Sequence, residues 1–222
     1  MARTPRSLLA LLAAAYALLT LAVLLLRAAD VEVLDLFRDP TELSPLLGDH
    51  PWKGGLSMVG VVMWVAAATV CLFAGAALRA RAGRSRKSTF LLATGVLLLV
   101  LGFDDAFVVH EALAPIVTGT DRAEPLVLLT IAAAIAVWLV LFRSEIAASA
   151  YVILVLAFVG LGSSLLLDFA YELGGNFSGR GLIEETAELA GQLTFLVYAA
   201  HVAWRALLDP AGPAISSQPR RY

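Results

Sequence analysis

The run Thr89-Phe-Leu-Leu-Ala-Thr-Gly-Val-Leu-Leu-Leu-Val-Leu-Gly-Phe-Asp104-Asp105-Ala-Phe-Val-Val-His110-Glu111 decides how this chain folds. From Thr89 to Phe103 it carries no charged side chain. It then closes on two carboxylates, an imidazole and a third carboxylate. A helix crossing the roughly 30 Å hydrocarbon core of a bilayer needs about 20 apolar residues. The spacing therefore predicts a transmembrane helix over 89–110 whose last turns are polar.

The same pattern recurs on both sides of this run. Apolar stretches predict five more helices, at 8–26, 56–78, 125–142, 148–169 and 182–204. The chain has 222 residues, of which 60% are hydrophobic and only 15% charged, and its mean hydropathy is +0.84. A soluble domain is closer to half apolar and about a quarter charged. The expected fold is all-α, a polytopic membrane bundle of six transmembrane helices spanning 1–208. A Pro- and Ser-rich tail over 209–222 is expected to be disordered. Six spans and their loops leave no length for a separate soluble domain. A signal peptide is the rival reading of the first stretch, because Arg3 and Arg6 precede it. Its apolar run outlasts the roughly 7–15 residues of a signal-peptide core and no small-x-small cleavage site closes it, so an uncleaved helix is expected.

Lys and Arg collect in the cytoplasmic loops of membrane proteins. With the N-terminus inside, Arg3, Arg6, Arg79, Arg81, Arg84, Arg86, Lys87, Arg143, Arg205, Arg220 and Arg221 all fall on the cytoplasmic side, the majority of the 16 basic residues. Both termini are therefore expected in the cytoplasm, with the chain in the plasma (inner) membrane. The acids favour the opposite face, in the loop 28–55 and at the outer helix ends. The basic cluster is expected to meet anionic lipid head groups. Membrane lipids are the expected partners, and nucleic acid is not, because the bases hug the membrane edge. Cys71 is the single cysteine, which excludes an internal disulfide and a Cys-based zinc site. Asn176-Phe177-Ser178 is formally a glycosylation sequon, of little weight in a chain with this Ala/Leu/Arg-rich, bacterial style. There is no phosphate-binding loop, nucleophile elbow or His-Glu-x-x-His.

Ionisable side chains at membrane depth are tolerated mainly when they face the bundle interior and pair. At about 1.5 Å per residue, Asp104, Asp168 and the acids opening the sixth helix lie in one slab beneath the outer face. Glu184 and Glu188 share a helix face at i,i+4 spacing, as do Asp168 and Glu172. Asp104 and Glu111 fall on one side of a continuous helix, with His110 rotated away from both. Packed carboxylates repel unless protons or a cation intervene, and helical bundles build metal sites from inward Glu and His. Asp104, His110, Glu111, Asp168, Glu184 and Glu188 are the candidate ligands for a divalent metal ion, with zinc, iron or manganese suited to carboxylate plus imidazole. Glu185 is the candidate proton shuttle of a metal-activated water. The bland alternative is that acids at the start of the sixth helix simply complement its positive N-terminal end, which accounts for Glu184 and Glu185 better than for Glu188.

The run Asp104-Asp105-x4-His110-Glu111, followed by Glu184-Glu185-x2-Glu188-x2-Gly191, resembles a group of small bacterial multi-pass membrane proteins. Members of that group carry Asp-Glu-x4-His-Glu and Glu-Glu-x2-Glu-x2-Gly, and Asp105 here replaces the Glu. The resemblance implies that both runs belong to one site, and it implies no activity. The Asp/His/Glu content is also similar to that of membrane hydrolases related to alkaline ceramidases, but the His-rich late-helix pattern of those enzymes is missing. Three functions fit: a metal-binding membrane protein acting on a lipid or small amphiphile, a cation or proton transporter using the same acids, and an accessory subunit of a homo-oligomer or larger membrane complex. The transporter reading is weakened by few polar stepping stones in the cytoplasmic half.

Overall fold

A computed structural model describes residues 6–28, 54–110, 114–120, 123–172 and 178–208. The elements among the described residues are all helices, in the order α1 (Arg6–Ala28), α2 (Gly55–Ala82), α3 (Arg86–Phe107), α4 (Ala114–Thr118), α5 (Ala123–Leu141), α6 (Arg143–Ala147), α7 (Tyr151–Glu172) and α8 (Arg180–Leu208). Five of these are long and apolar enough to cross a membrane: α1, α2, α3, α5 and α7. They coincide with five of the six predicted stretches. The sixth, 182–204, is the core of α8, whose polar side chains keep it outside that apolar class. The loop 29–53, Glu111, the sequon asparagine and the tail 209–222 lie outside the described residues.

The α2–α3 hairpin is set by local chemistry. Gly83 ends α2 at φ 75° and returns its N–H to the Arg79 carbonyl, a positive-φ ending that suits glycine. Two residues on, Ser85 and Ser88 form a reciprocal capping box that starts α3, satisfying backbone donors that a helix start leaves open. Across the turn, Arg86 Nε donates to Glu145 Oε1 at 2.6 Å and its Nη2 donates to the Leu141 carbonyl at 2.6 Å. The basic α2–α3 turn and the α5–α6 junction therefore share one end of the bundle. Partial burial works to raise the Glu145 carboxyl, but hydrogen bonds from Ser144 and Arg86 outweigh it and hold the group below its ordinary value.

The core is built from α2, α3, α7 and α8, with α2 packed on both α3 and α8, and α7 on α8. Tyr198, Phe195, Phe90, Leu91, Leu98 and Ile153 are fully buried there. Lipid is as apolar as leucine, so membrane helices associate through close packing rather than through the hydrophobic effect. Glycines supply that closeness. A Cβ on Gly160 would lie 2.8 Å from the Gly191 Cα, and one on Gly191 would lie 2.7 Å from the Leu161 nitrogen. α7 and α8 therefore touch backbone to backbone.

α8 explains its own composition. Its buried residues include Gln192, Thr194, Phe195 and Tyr198, so some of the polar side chains that lower its hydropathy point into the bundle. α1 and α5 are peripheral. The Tyr16 hydroxyl of α1 bonds to the Thr194 hydroxyl of α8. α5 is held to α3 by Trp138, whose Nε1 donates to Thr94 Oγ1 at 3.0 Å and whose ring stacks on Phe90 at 5.8 Å.

Candidate functional site

α3 stops earlier than its sequence pattern predicts. Phe107 is its last α-helical residue, Val108 adopts φ 48°, ψ 48°, and Val109 and His110 follow as a π-helical turn. Val108 is the sole non-glycine residue with positive φ among those described. That conformation costs an L-residue roughly 1–2 kcal/mol, and a β-branched side chain makes it rarer still. Asp104 supplies the compensation. Its backbone carbonyl accepts the Val108 N–H, and its Oδ1 accepts the His110 N–H at 3.2 Å. His110 Nδ1 then lies 2.8 Å from Asp104 Oδ2. On a continuous helix His110 would point away from Asp104; the reversal at Val108 swings it back. One carboxylate thus organises the whole break.

Replacing Val108 by glycine tests that account. The strain disappears, and what is given up is the packing of one small buried side chain at a helix end. Val108→Gly is expected to stabilise the folded protein by about 1 kcal/mol, read as a raised midpoint of thermal unfolding in detergent. A lowered midpoint would mean that packing of the buried valine outweighs the backbone term.

The Asp104–His110 pair is shielded but reachable, with the side chains 13% and 22% exposed respectively. A carboxylate that accepts from Nδ1–H fixes the imidazole tautomer and leaves Nε2 as its basic atom. The carboxylate also lines a cleft of about 330 Å³, walled by Val100 and Phe103 of α3 and by Leu126, Val127 and Thr130 of α5. The cleft exists because α5 is pinned to α3 at Trp138, toward the other end of α5. Val100, Phe103 and Leu126 are each about half exposed, so the cleft opens sideways along the helix walls.

The other expected site residues fall into two further groups. Glu188 Oε1 accepts from Gln192 Nε2 at 3.0 Å, and the same amide donates to Asp105 Oδ2 at 3.0 Å. Asp105 Oδ2 also accepts the Trp64 indole N–H at 3.1 Å. This network ties α2, α3 and α8 together. At the end of the α7–α8 pair, Arg180 Nη1 lies 2.8 Å from Glu184 Oε2 and 3.9 Å from Asp168 Oδ1, and it donates to the Leu167 carbonyl at 2.9 Å. Glu185 is partly buried in α8. Among the described residues no three His, Cys, Asp or Glu side chains are gathered as a metal site, and Glu111 lies outside those residues.

Gln192, Arg180 and Trp64 were not among the candidate residues. Gln192 had a signal, since it follows Glu188 at i,i+4 in the middle of a span. Arg180 sat in a glycine-rich stretch that reads as loop. Nothing in the sequence links Trp64 to Asp105.

A family model described as a domain of unknown function (DUF8692) matches residues 8–202. No curated protein and no solved structure gives a match.

Proposed function

The chain belongs to the DUF8692 family, a domain family of unknown function, and we propose that it is an integral membrane protein acting on a lipid or small amphiphile. In this reading it crosses the membrane six times, with both termini in the cytoplasm. Five helices have the length and apolarity to cross. α8 is the sixth: it packs along α2 and α7 and turns Gln192, Thr194 and Tyr198 inward. The basic turn tied to Glu145 is the cytoplasmic end of the bundle, which puts Asp104, Glu184 and Glu188 toward the outer face.

The observation that carries the reading is the Asp104–His110 pair, 2.8 Å apart, beside a cleft that opens sideways between α3 and α5. A sideways opening meets acyl chains in a membrane, and the pair supplies a proton acceptor within reach of a head group lodged there. Any divalent ion would draw on this same pair, because Arg180 engages Asp168 and Glu184 and Gln192 engages Glu188.

The test is to incubate the purified protein in nanodiscs with a total lipid extract. Lipids bound or chemically changed would then be compared between the wild type and His110→Gln. Loss of binding or turnover in the variant is the expected result. Identical lipid profiles from both proteins would remove the assignment. Metal analysis of the same samples separates two chemistries. Stoichiometric zinc, iron or manganese, absent from His110→Gln, would make the pair a metal site rather than a proton-transfer pair.

A further inference from the structure

We infer that the α3–α5 cleft takes a single-chain amphiphile with a cationic head, with the chain along the apolar walls and the head against Asp104. The inference rests on the amphiphile reading above and adds the charge and the chain number to it.

Size sets the chain number. Ligand pockets run from about 300 to 1,000 Å³, and a cleft of about 330 Å³ is at the small end. It holds one slender chain more readily than two side by side. Charge sets the head. α5 carries one charged residue, Glu124, in its first turn. α3 has Arg86 and Lys87 at its far start, and Asp104 and Asp105 at the end that forms the cleft. The charged groups that α3 and α5 present at that end are therefore all carboxylates, and the one imidazole beside them, His110, lies just past α3 against Asp104. Asp105 is turned to Trp64 and Gln192, whereas Asp104 lines the cleft itself. A carboxylate in weakly polar surroundings attracts a cation far more strongly than it does in water, and it repels an anionic head by the same reasoning. Thr130 adds a hydroxyl to the facing wall. Its own proton goes to the Leu126 carbonyl at 2.8 Å, so the oxygen presents lone pairs to a donor head such as an ammonium.

The experiment uses the full chain in phosphatidylcholine nanodiscs, with radiolabelled dodecylamine and dodecanoate as probes and empty discs as the blank. The wild type is expected to retain the amine roughly tenfold more than the carboxylate, a ratio equivalent to about 1.4 kcal/mol. Asp104→Asn keeps a side chain able to cap His110 and removes the charge. It should abolish the preference while still holding both probes weakly. Thr130→Phe fills the cleft from the opposite wall and should abolish retention of both. Equal retention of amine and carboxylate by the wild type, or a preference that survives Asp104→Asn, overturns the cationic head and leaves the amphiphile reading standing. Retention unaffected by Thr130→Phe overturns the cleft as the binding place. Retention of neither probe by a wild type that still alters a lipid in the extract overturns the single-chain class alone.

Discussion

Gly191→Ala will lower the stability of the folded protein by about 1–3 kcal/mol, and Gly191→Leu will leave little folded, monodisperse protein. The new Cβ would sit 2.7 Å from the Leu161 nitrogen, 2.8 Å from its Cγ and 3.1 Å from the Ala157 carbonyl. Two of those three atoms are backbone, so no rotamer change relieves the clash and α7 must move away from α8. In a bilayer no hydrophobic force pulls the helices back together, so the lost packing is not recovered elsewhere. Gly160→Ala strikes the same contact from the other helix, with Gly191 Cα at 2.8 Å and the Ala187 carbonyl at 2.9 Å. The double variant is therefore expected to cost less than the sum of the two, as coupled sites do. Gly162 is the control. A Cβ there meets nothing within 4 Å, and Gly162→Ala should gain up to about 1 kcal/mol of helix propensity. Thermal midpoints in detergent, with gel-filtration profiles, distinguish these outcomes. A Gly191→Ala protein as stable as the wild type would mean that α7 and α8 are not in backbone contact.

The helices were legible because apolar length is a local property. The predicted stretches 8–26, 56–78, 89–110, 125–142 and 148–169 each fall on one of the long apolar helices. The hairpin turn was legible as a basic break, though its Ser85–Ser88 capping box went unread. The end of α3 was not legible. Apolar periodicity continues through Val108 and Val109, and the reversal there depends on Asp104 capping backbone N–H groups from within the preceding turn. Sequence spacing taken on a continuous helix therefore put His110 on the wrong side of Asp104. The partners of the acids were illegible for another reason. Three donors dominate them, Trp64, Gln192 and Arg180; Trp64 and Gln192 reach Asp105 from other helices, and Arg180 reaches Asp168 from α8 while also holding Glu184 one turn along its own helix. Spacing within one helix finds carboxylates that share a face, such as Glu184 and Glu188. It does not find the indole and the amide that α2 and α8 bring to Asp105.

The second large effect concerns Asp105, where removal and neutralisation are expected to act in opposite directions. Asp105→Ala should destabilise the protein by about 2–3 kcal/mol, since a buried donor that loses its acceptor costs roughly 1–3 kcal/mol and a cavity adds to that. Trp64, 4% exposed, donates its indole N–H to Asp105 Oδ2. Gln192, also 4% exposed, divides one amide between Asp105 and Glu188. The approach of that amide requires the absence of a side chain at Gly60, where a Cβ would lie 2.3 Å from Gln192 Oε1. Asp105→Asn keeps an oxygen that can accept from both donors and puts an N–H₂ donor in place of the other oxygen. It also removes one of two like charges held on a single amide, a repulsive arrangement in a weakly polar interior. Asp105→Asn is therefore expected to match or exceed wild-type stability, while Asp105→Ala falls well below it. The contrast separates scaffold from chemistry. If Asp105→Asn is stable, Asp105 works as an acceptor that fastens α3 to α2 and α8, and the proposed amphiphile site is left to its neighbour Asp104. If Asp105→Asn is as unstable as Asp105→Ala, the charge itself holds the network, and the fastening account fails.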